Sequence, residues 1–116
     1  MTKYNAKKTV VNGITFMSKL EAERFQQLLL LERAGEIGEL RLQVEFQIFK
    51  GGMSDTGEKT KSRFYVADFV YIDYKEHKLI VEDTKGMETP EFRLKWDFAR
   101  TQYPEFEFRK VTRDQV

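Results

Sequence analysis

The stretch FYVADFVYIDYKEHKLIVEDTK, residues 64–85, sets two runs of aromatic, β-branched and aliphatic residues on either side of Tyr74-Lys75-Glu76-His77. That pattern predicts a strand over 64–73, a turn over 74–77 and a strand over 78–85, paired as an antiparallel hairpin. A turn centred between Lys75 and Glu76 pairs residues whose numbers sum to 151, which puts Asp68 directly opposite Asp83. Side chains alternate across a strand, so one face is expected to carry Phe64, Val66, Asp68, Val70 and Ile72 beside Leu79, Val81, Asp83 and Lys85. Directly opposed carboxylates have Cβ atoms about 4.5–5.5 Å apart. Set among Val, Ile and Leu, they repel each other and are costly to bury unpaired. A divalent cation would offset both penalties, with Lys85 at the edge of the same face to balance charge or hold a water. A structural reading stands beside this one: Lys85 neutralises an Asp at a strand end, and a one-residue slip in register separates the two acids.

Working outward, Thr9-Val10-Val11-Asn12-Gly13-Ile14-Thr15-Phe16 places Asn-Gly between β-branched residues, the signal of a tight hairpin. Ser18-Lys19-Leu20-Glu21 has capping-box spacing and opens a helix whose apolar face holds Leu20, Phe25, Leu28 and Leu31, with Leu29 and Leu30 beside them, and which stops near Ala34-Gly35. Glu21 is therefore either the reciprocal cap of Ser18 or a first-turn carboxylate aimed back at the sheet, and the two roles are partly exclusive. Leu40 to Phe49 reads as a strand with Leu42, Val44, Phe46 and Ile48 on one face; Gln43, on the other, is a polar filler or a site contact. Residues 50–62, polar and containing Gly, read as a long mobile loop. Thr89-Pro90-Glu91 starts a second helix with the stripe Phe92, Trp96, Ala99, which Tyr103-Pro104 ends, and Glu105 to Val111 alternates as a last strand. The last three elements form a βαβ crossover, so the order predicts an α/β fold, a mixed sheet flanked by helices. A single domain spans 1–116, with a basic arm and hairpin over 1–17 and the core over 18–111.

The 116 residues are 41% hydrophobic and 14% aromatic, enough for a buried core. There is no Cys and a single His, His77. This excludes zinc fingers, disulfide frameworks and thiol nucleophiles, leaves a Ser-His-Asp triad one candidate residue, and restricts any metal to a hard ion held by oxygen. The first ten residues lack an apolar signal core and the longest purely apolar run, Leu28 to Leu31, is too short to cross a bilayer, so a cytoplasmic protein without a membrane partner is expected. The net charge of +1 conceals alternation: residues 1–20 carry +4, 21–58 carry −4, 59–67 carry +3, 68–91 carry −4 and the last 25 carry +2. An acidic site in a basic frame produces this pattern, as does a solvated surface. Lys3, Lys7 and Lys8, then Lys59, Lys61 and Arg63, then Arg93 and Lys95 are the candidate phosphate contacts. Each is also readable as an ordinary surface cation, His77 as an exposed turn residue, and Phe92 and Trp96 as core.

Asp68, the string Val81-Glu82-Asp83-Thr84-Lys85-Gly86 and the first-helix acid of Ser18-Lys19-Leu20-Glu21-Ala22 together resemble the PD-(D/E)XK nuclease signature on an α-β-β-β-α-β order. With Lys3-Tyr4-Asn5-Ala6-Lys7-Lys8 and Ala67-Asp68-Phe69, nearly the whole chain is similar to a family of short, largely uncharacterised phage-encoded proteins of that superfamily. Ala67 stands where the name-giving Pro would precede the Asp. The resemblance implies a restriction-endonuclease-like core: a mixed four-stranded sheet flanked by helices, behind an N-terminal β-hairpin. It implies a Mg²⁺-dependent DNA endonuclease, with Mn²⁺ as substitute, acting on branched or recombining phage DNA in the host cytoplasm. Asp68 and Asp83 would then ligate metal with the Thr84 carbonyl, Glu21 would bind it directly or through water, and Lys85 would position or activate the attacking water. Glu82 points to the other face and is the least suited carboxylate. Dimerisation is expected if both strands of a duplex are cut. The alternatives are a catalytically silent DNA-binding module and a host-protein-binding module on the same fold.

Overall fold

The computed structural model describes residues 8–116. In chain order these form β1 (Thr9–Val11), β2 (Ile14–Phe16), α1 (Lys19–Arg33), β3 (Ile37–Phe49), β4 (Gly52–Met53), β5 (Lys59–Thr60), β6 (Arg63–Asp73), β7 (Lys78–Thr84), α2 (Pro90–Gln102) and β8 (Phe106–Val111), followed by a 3-10 turn at Arg113–Gln115. Asn12 and Gly13 both take positive φ, 52° and 78°, the signs of the two-residue turn that matches the twist of paired strands. The Ser18 hydroxyl accepts the Glu21 N–H at 3.1 Å to start α1, and the Thr89 hydroxyl accepts the Phe92 N–H at 3.1 Å to start α2. Pro90 occupies the first turn of α2, where its missing N–H is no loss.

The main sheet has the order β3-β6-β7-β8. The first two pairings are antiparallel, and α2 makes the crossover that leaves β8 parallel to β7. The helices cover opposite faces. Phe92, Trp96 and Ala99 of α2 pack on Phe46, Tyr65, Ala67, Val70 and Val81. Ala22, Phe25 and Leu28 of α1 pack on Phe16, Ile37, Phe69, Tyr71 and Ile80. Trp96 meets Tyr65 and Phe108 edge-on at 5.8 and 5.4 Å, geometry worth about 0.5–1.5 kcal/mol per pair beyond the area buried. The expected α/β class, four-stranded mixed sheet, flanking helices and leading hairpin are all present. Among the described residues no helix is long and apolar enough to cross a membrane.

Three expectations are corrected. Residues 50–62 include a short ribbon, not only a loop: Gly52 pairs with Thr60 and Met53 with Lys59. The faces of β3 and β6 are not continuous. Val44 and Phe46, with their partners Ala67 and Tyr65, belong to the core under α2, whereas Leu42 and its partner Phe69 belong to the core under α1. The change of face falls at Gln43 and Asp68, which the ladder skips between Leu42↔Phe69 and Val44↔Ala67, and Gln43 has φ 52°. As a result Tyr65 and Ala67 are buried while Val66, expected on the core face with Asp68 and Val70, is 43% exposed. Finally, the β6–β7 register follows the expected sum from Asp73↔Lys78 to Phe69↔Glu82 and stops there, one step short of an Asp68–Asp83 pair.

Candidate functional site

The end of the β6–β7 ladder is where the acids gather. Beyond Phe69↔Glu82, the Thr84 N–H turns from the β6 backbone to the Asp68 side chain, and Thr84 N–H and Oγ1 both donate to Asp68 Oδ2 at 2.8 Å. One residue on, the Lys85 N–H donates to the Val111 carbonyl at 3.0 Å, which ties the motif to β8. Thr84 thus fixes the Asp68 carboxylate with its hydroxyl and amide.

Asp83 is 2% exposed. Its Oδ2 accepts the Tyr65 hydroxyl at 2.6 Å. Its Oδ1 is buried, with the Lys85 ammonium 3.2 Å away as its ion-pair partner. The same ammonium lies 4.3 Å from the centre of the Phe92 ring, a cation–π placement that holds the charge beside the carboxylate. Burial first, then the negative charge of Asp68, pushes the Asp83 carboxyl up to about 7, with Lys85 and Tyr65 acting the other way. Tyr65 is pushed well above the ordinary phenol range, by burial first and then by the charge of Asp83, so it remains a donor.

Glu21 resolves in favour of the inward orientation. Its N–H makes the cap with Ser18, while its carboxylate turns inward, 3.4 Å from Gln43 Nε2, on a residue 8% exposed. Burial, followed by the charges of Asp68 and Asp83, raises this carboxyl to about 7. The left-handed backbone at Gln43 accompanies the change of face that brings its side chain to Glu21. Three acids from α1, β6 and β7 therefore share one electrostatic neighbourhood although α1 and α2 lie on opposite faces of the sheet.

Glu82 lies on the α1 face, as the alternation required. It is fully buried, and its two oxygens accept Arg24 Nε at 2.8 Å and Arg24 Nη2 at 2.7 Å, with the Tyr71 hydroxyl as a further donor. Sequence reasoning did not identify Arg24, Tyr71 or Tyr65. A signal for Arg24 existed: an acid on the inner face of a strand flanked by Val81 requires a buried cation, and Arg24 is a turn away from Glu21.

A cleft of about 260 Å³ opens beside the acids, lined among others by Asp83, Lys85, Thr89, Phe92 and Lys95. Of the candidate phosphate contacts, Lys95 lies in this cleft, with its ammonium 3.1 Å from Glu91. Lys59, Lys61 and Arg63 are exposed on and after the ribbon, and Lys8 and Arg93 are exposed elsewhere. Lys3 and Lys7 lie outside the described residues. His77 is exposed in the β6–β7 turn with φ 58°.

Among the described residues no group of three or more His, Asp or Glu side chains forms a ready metal cage. Mg²⁺ uses one or two carboxylates and keeps several waters, and the buried Asp83 Oδ1, without a hydrogen bond and with the Lys85 ammonium at 3.2 Å, is an oxygen already compensated by positive charge that a metal ion would share. Asp68 and Asp83 are the residues that would hold it, with Glu21 close by.

No curated protein and no solved structure matches the chain. One family model matches residues 1–115, and the chain accordingly belongs to the family described as "Protein of unknown function (DUF1064)".

Proposed function

We propose that this protein is a Mg²⁺-dependent DNA endonuclease of the PD-(D/E)XK type, with a restriction-endonuclease-like core, encoded by a phage and acting on branched or recombining DNA. The observation that carries the reading is the buried Asp83 at the end of β7, its Oδ1 without a hydrogen bond and paired with the Lys85 ammonium at 3.2 Å, with Asp68 fixed by Thr84 one residue on and Glu21 turned inward from α1. Glu21 and Asp83, both raised toward neutral pH by burial first, are expensive to keep unless they serve a site. When bound, Mg²⁺ supplies Lewis-acid polarisation of a phosphoryl oxygen and lowers the pKa of a bound water.

The chain's own residues supply the rest. Thr84 holds Asp68 in place, and Tyr65 holds Asp83, each with hydrogen bonds that leave carboxylate oxygen available to an ion. Lys85 keeps its ammonium beside Asp83 and at the wall of the cleft, where it can orient a water or balance phosphate charge. Lys95 in the cleft, and Lys59, Lys61 and Arg63 along the ribbon, are cations for the phosphate backbone. The ion pair between Lys85 and Asp83 also favours a second reading, a silent DNA-binding module in which that pair neutralises the site.

Incubation of the protein with plasmid and with flapped and four-way DNA, with and without Mg²⁺ or Mn²⁺, separates the readings. Metal-dependent nicking is expected, abolished by Asp83→Ala and by Lys85→Ala while circular dichroism stays native. Binding without cleavage in either metal would establish the silent module, and undiminished cleavage by both variants would sink the site assignment.

A further inference from the structure

A buried ion pair is rarely a device for stability, because replacing both partners by apolar residues is often neutral or stabilising. The pair between Arg24 and Glu82 therefore calls for another role. Glu82 has no exposed surface, its two oxygens meet Arg24 Nε and Nη2 in a parallel fork, and Arg24 Nη1 is itself oriented by Gln27 Oε1 at 2.9 Å. The pair joins the same two elements that carry opposing acids: Arg24 lies one helical turn beyond Glu21 on α1, and Glu82 immediately precedes Asp83 on β7. Residues three apart on a helix are neighbours on its surface. The charges of Asp68 and Asp83 oppose an ionised Glu21 at the start of α1; the Gln43 amide 3.4 Å from Glu21 and the ion pair of Arg113 with Glu23 are single-point ties of this helix, and neither fixes direction as a two-bond fork does.

We propose that Arg24 and Glu82 form a positioning clamp that holds the first turn of α1 against the end of β7 and keeps Glu21 beside Asp68 and Asp83. The planar fork fixes direction as well as distance, which a Lys or a Leu in place of Arg24 would not. Tyr71, donating to Glu82 from β6, extends the clamp to the strand that carries Asp68. As a device for metal binding the clamp rests on the endonuclease reading; as a restraint on α1 it does not.

The test is the double substitution Arg24→Met with Glu82→Leu, read in two ways. In EDTA, hydrogen exchange at the Glu21 and Ala22 amides, which donate to the Ser18 hydroxyl and carbonyl, is expected to quicken about tenfold or more while exchange at Leu28 is unchanged. Mn²⁺ titration followed by electron paramagnetic resonance is expected to show weaker affinity than wild type, by about tenfold at most, since neither residue hydrogen-bonds a carboxylate of the site. Glu21→Gln should weaken Mn²⁺ binding in the wild type and have little further effect in the double variant. Unchanged amide exchange overturns the clamp. An undiminished effect of Glu21→Gln in the double variant overturns its link to Glu21. Quickened exchange in a protein whose wild type binds no Mn²⁺ defeats the metal reading and leaves the clamp standing. Should the double variant not fold, Arg24→Lys, which keeps the charge and loses the fork, is read by the same two measurements, and wild-type values for both would overturn the proposal.

Discussion

Asp83→Asn is the substitution in which the site's electrostatics should be most visible. The Asp83 carboxyl is pushed from an ordinary 3.8 up to about 7, chiefly by burial and then by Asp68. At about 1.36 kcal/mol for each pH decade between those values, keeping the group ionised in the folded chain costs on the order of 4 kcal/mol. Asn removes that cost and still offers an oxygen to the Tyr65 hydroxyl, but it turns an amide donor toward the Lys85 ammonium. The net gain expected for the metal-free protein at pH 8 is therefore about 1–3 kcal/mol, or about 4–12 °C in midpoint at this chain length. The sign follows from proton counting. Between pH 3.8 and 7 the folded wild type binds more protons than the unfolded chain, so its stability falls as pH rises through that window; Asn has nothing to titrate. The advantage of the variant should grow from near zero at pH 4 to a plateau above pH 7. Urea unfolding in EDTA, followed through Trp96 fluorescence at several pH values, measures it. A variant less stable than wild type at pH 8, or an advantage independent of pH, would show that the buried charge of Asp83 does not cost the fold stability.

Further outcomes follow at Glu21 and at Gln43. Because Glu21 is also raised, from 4.5 to about 7, metal-free wild type should lose stability between about pH 4.5 and 7, and Mn²⁺ should raise its thermal midpoint more at pH 8 than at pH 5.5, which scanning fluorimetry reads; equal metal shifts at both would contradict the site. At Gln43, with φ 52°, Gln43→Gly should leave urea stability within about 1 kcal/mol of wild type, whereas β-branched Gln43→Val should cost about 1–3 kcal/mol.

Much of this was legible in the chain because local chemistry and pattern agreed. Ser18 and Thr89-Pro90 announce helices that begin where their caps form, and the turn at Tyr74 to His77 sets a β6–β7 register that holds over five pairs. That register is what brings Asp68, Asp83 and Lys85 to one end of the hairpin. The exchange of faces was not legible, because it depends on a left-handed backbone at Gln43, a residue type that does not announce one. Tyr65 was hidden for the same reason: strict alternation set it on the face opposite Asp83, and the exchange of faces at Asp68 brings its hydroxyl to that carboxylate. The ribbon of β4 and β5 pairs only two residues a side, too few for a period to register. Glu21 required tertiary information, since its local signal as a cap was complete without the inward turn of its carboxylate.

The exchange of faces at Gln43 and Asp68 also bears on how the chain can vary. In an uninterrupted strand a one-residue insertion throws everything beyond it to the wrong side. Here β3 and β6 both exchange faces at one level of the sheet, β3 at Gln43 and β6 at Asp68, and β3 carries a further register shift between Gly38 and Arg41. Restoring a single phase along both strands would make a more regular sheet and would send either Phe69 or Ala67 with Tyr65 out of its core. The junction is thus a seam that substitution can decorate but that insertion and deletion cannot move, and the acids that meet there are bound to it.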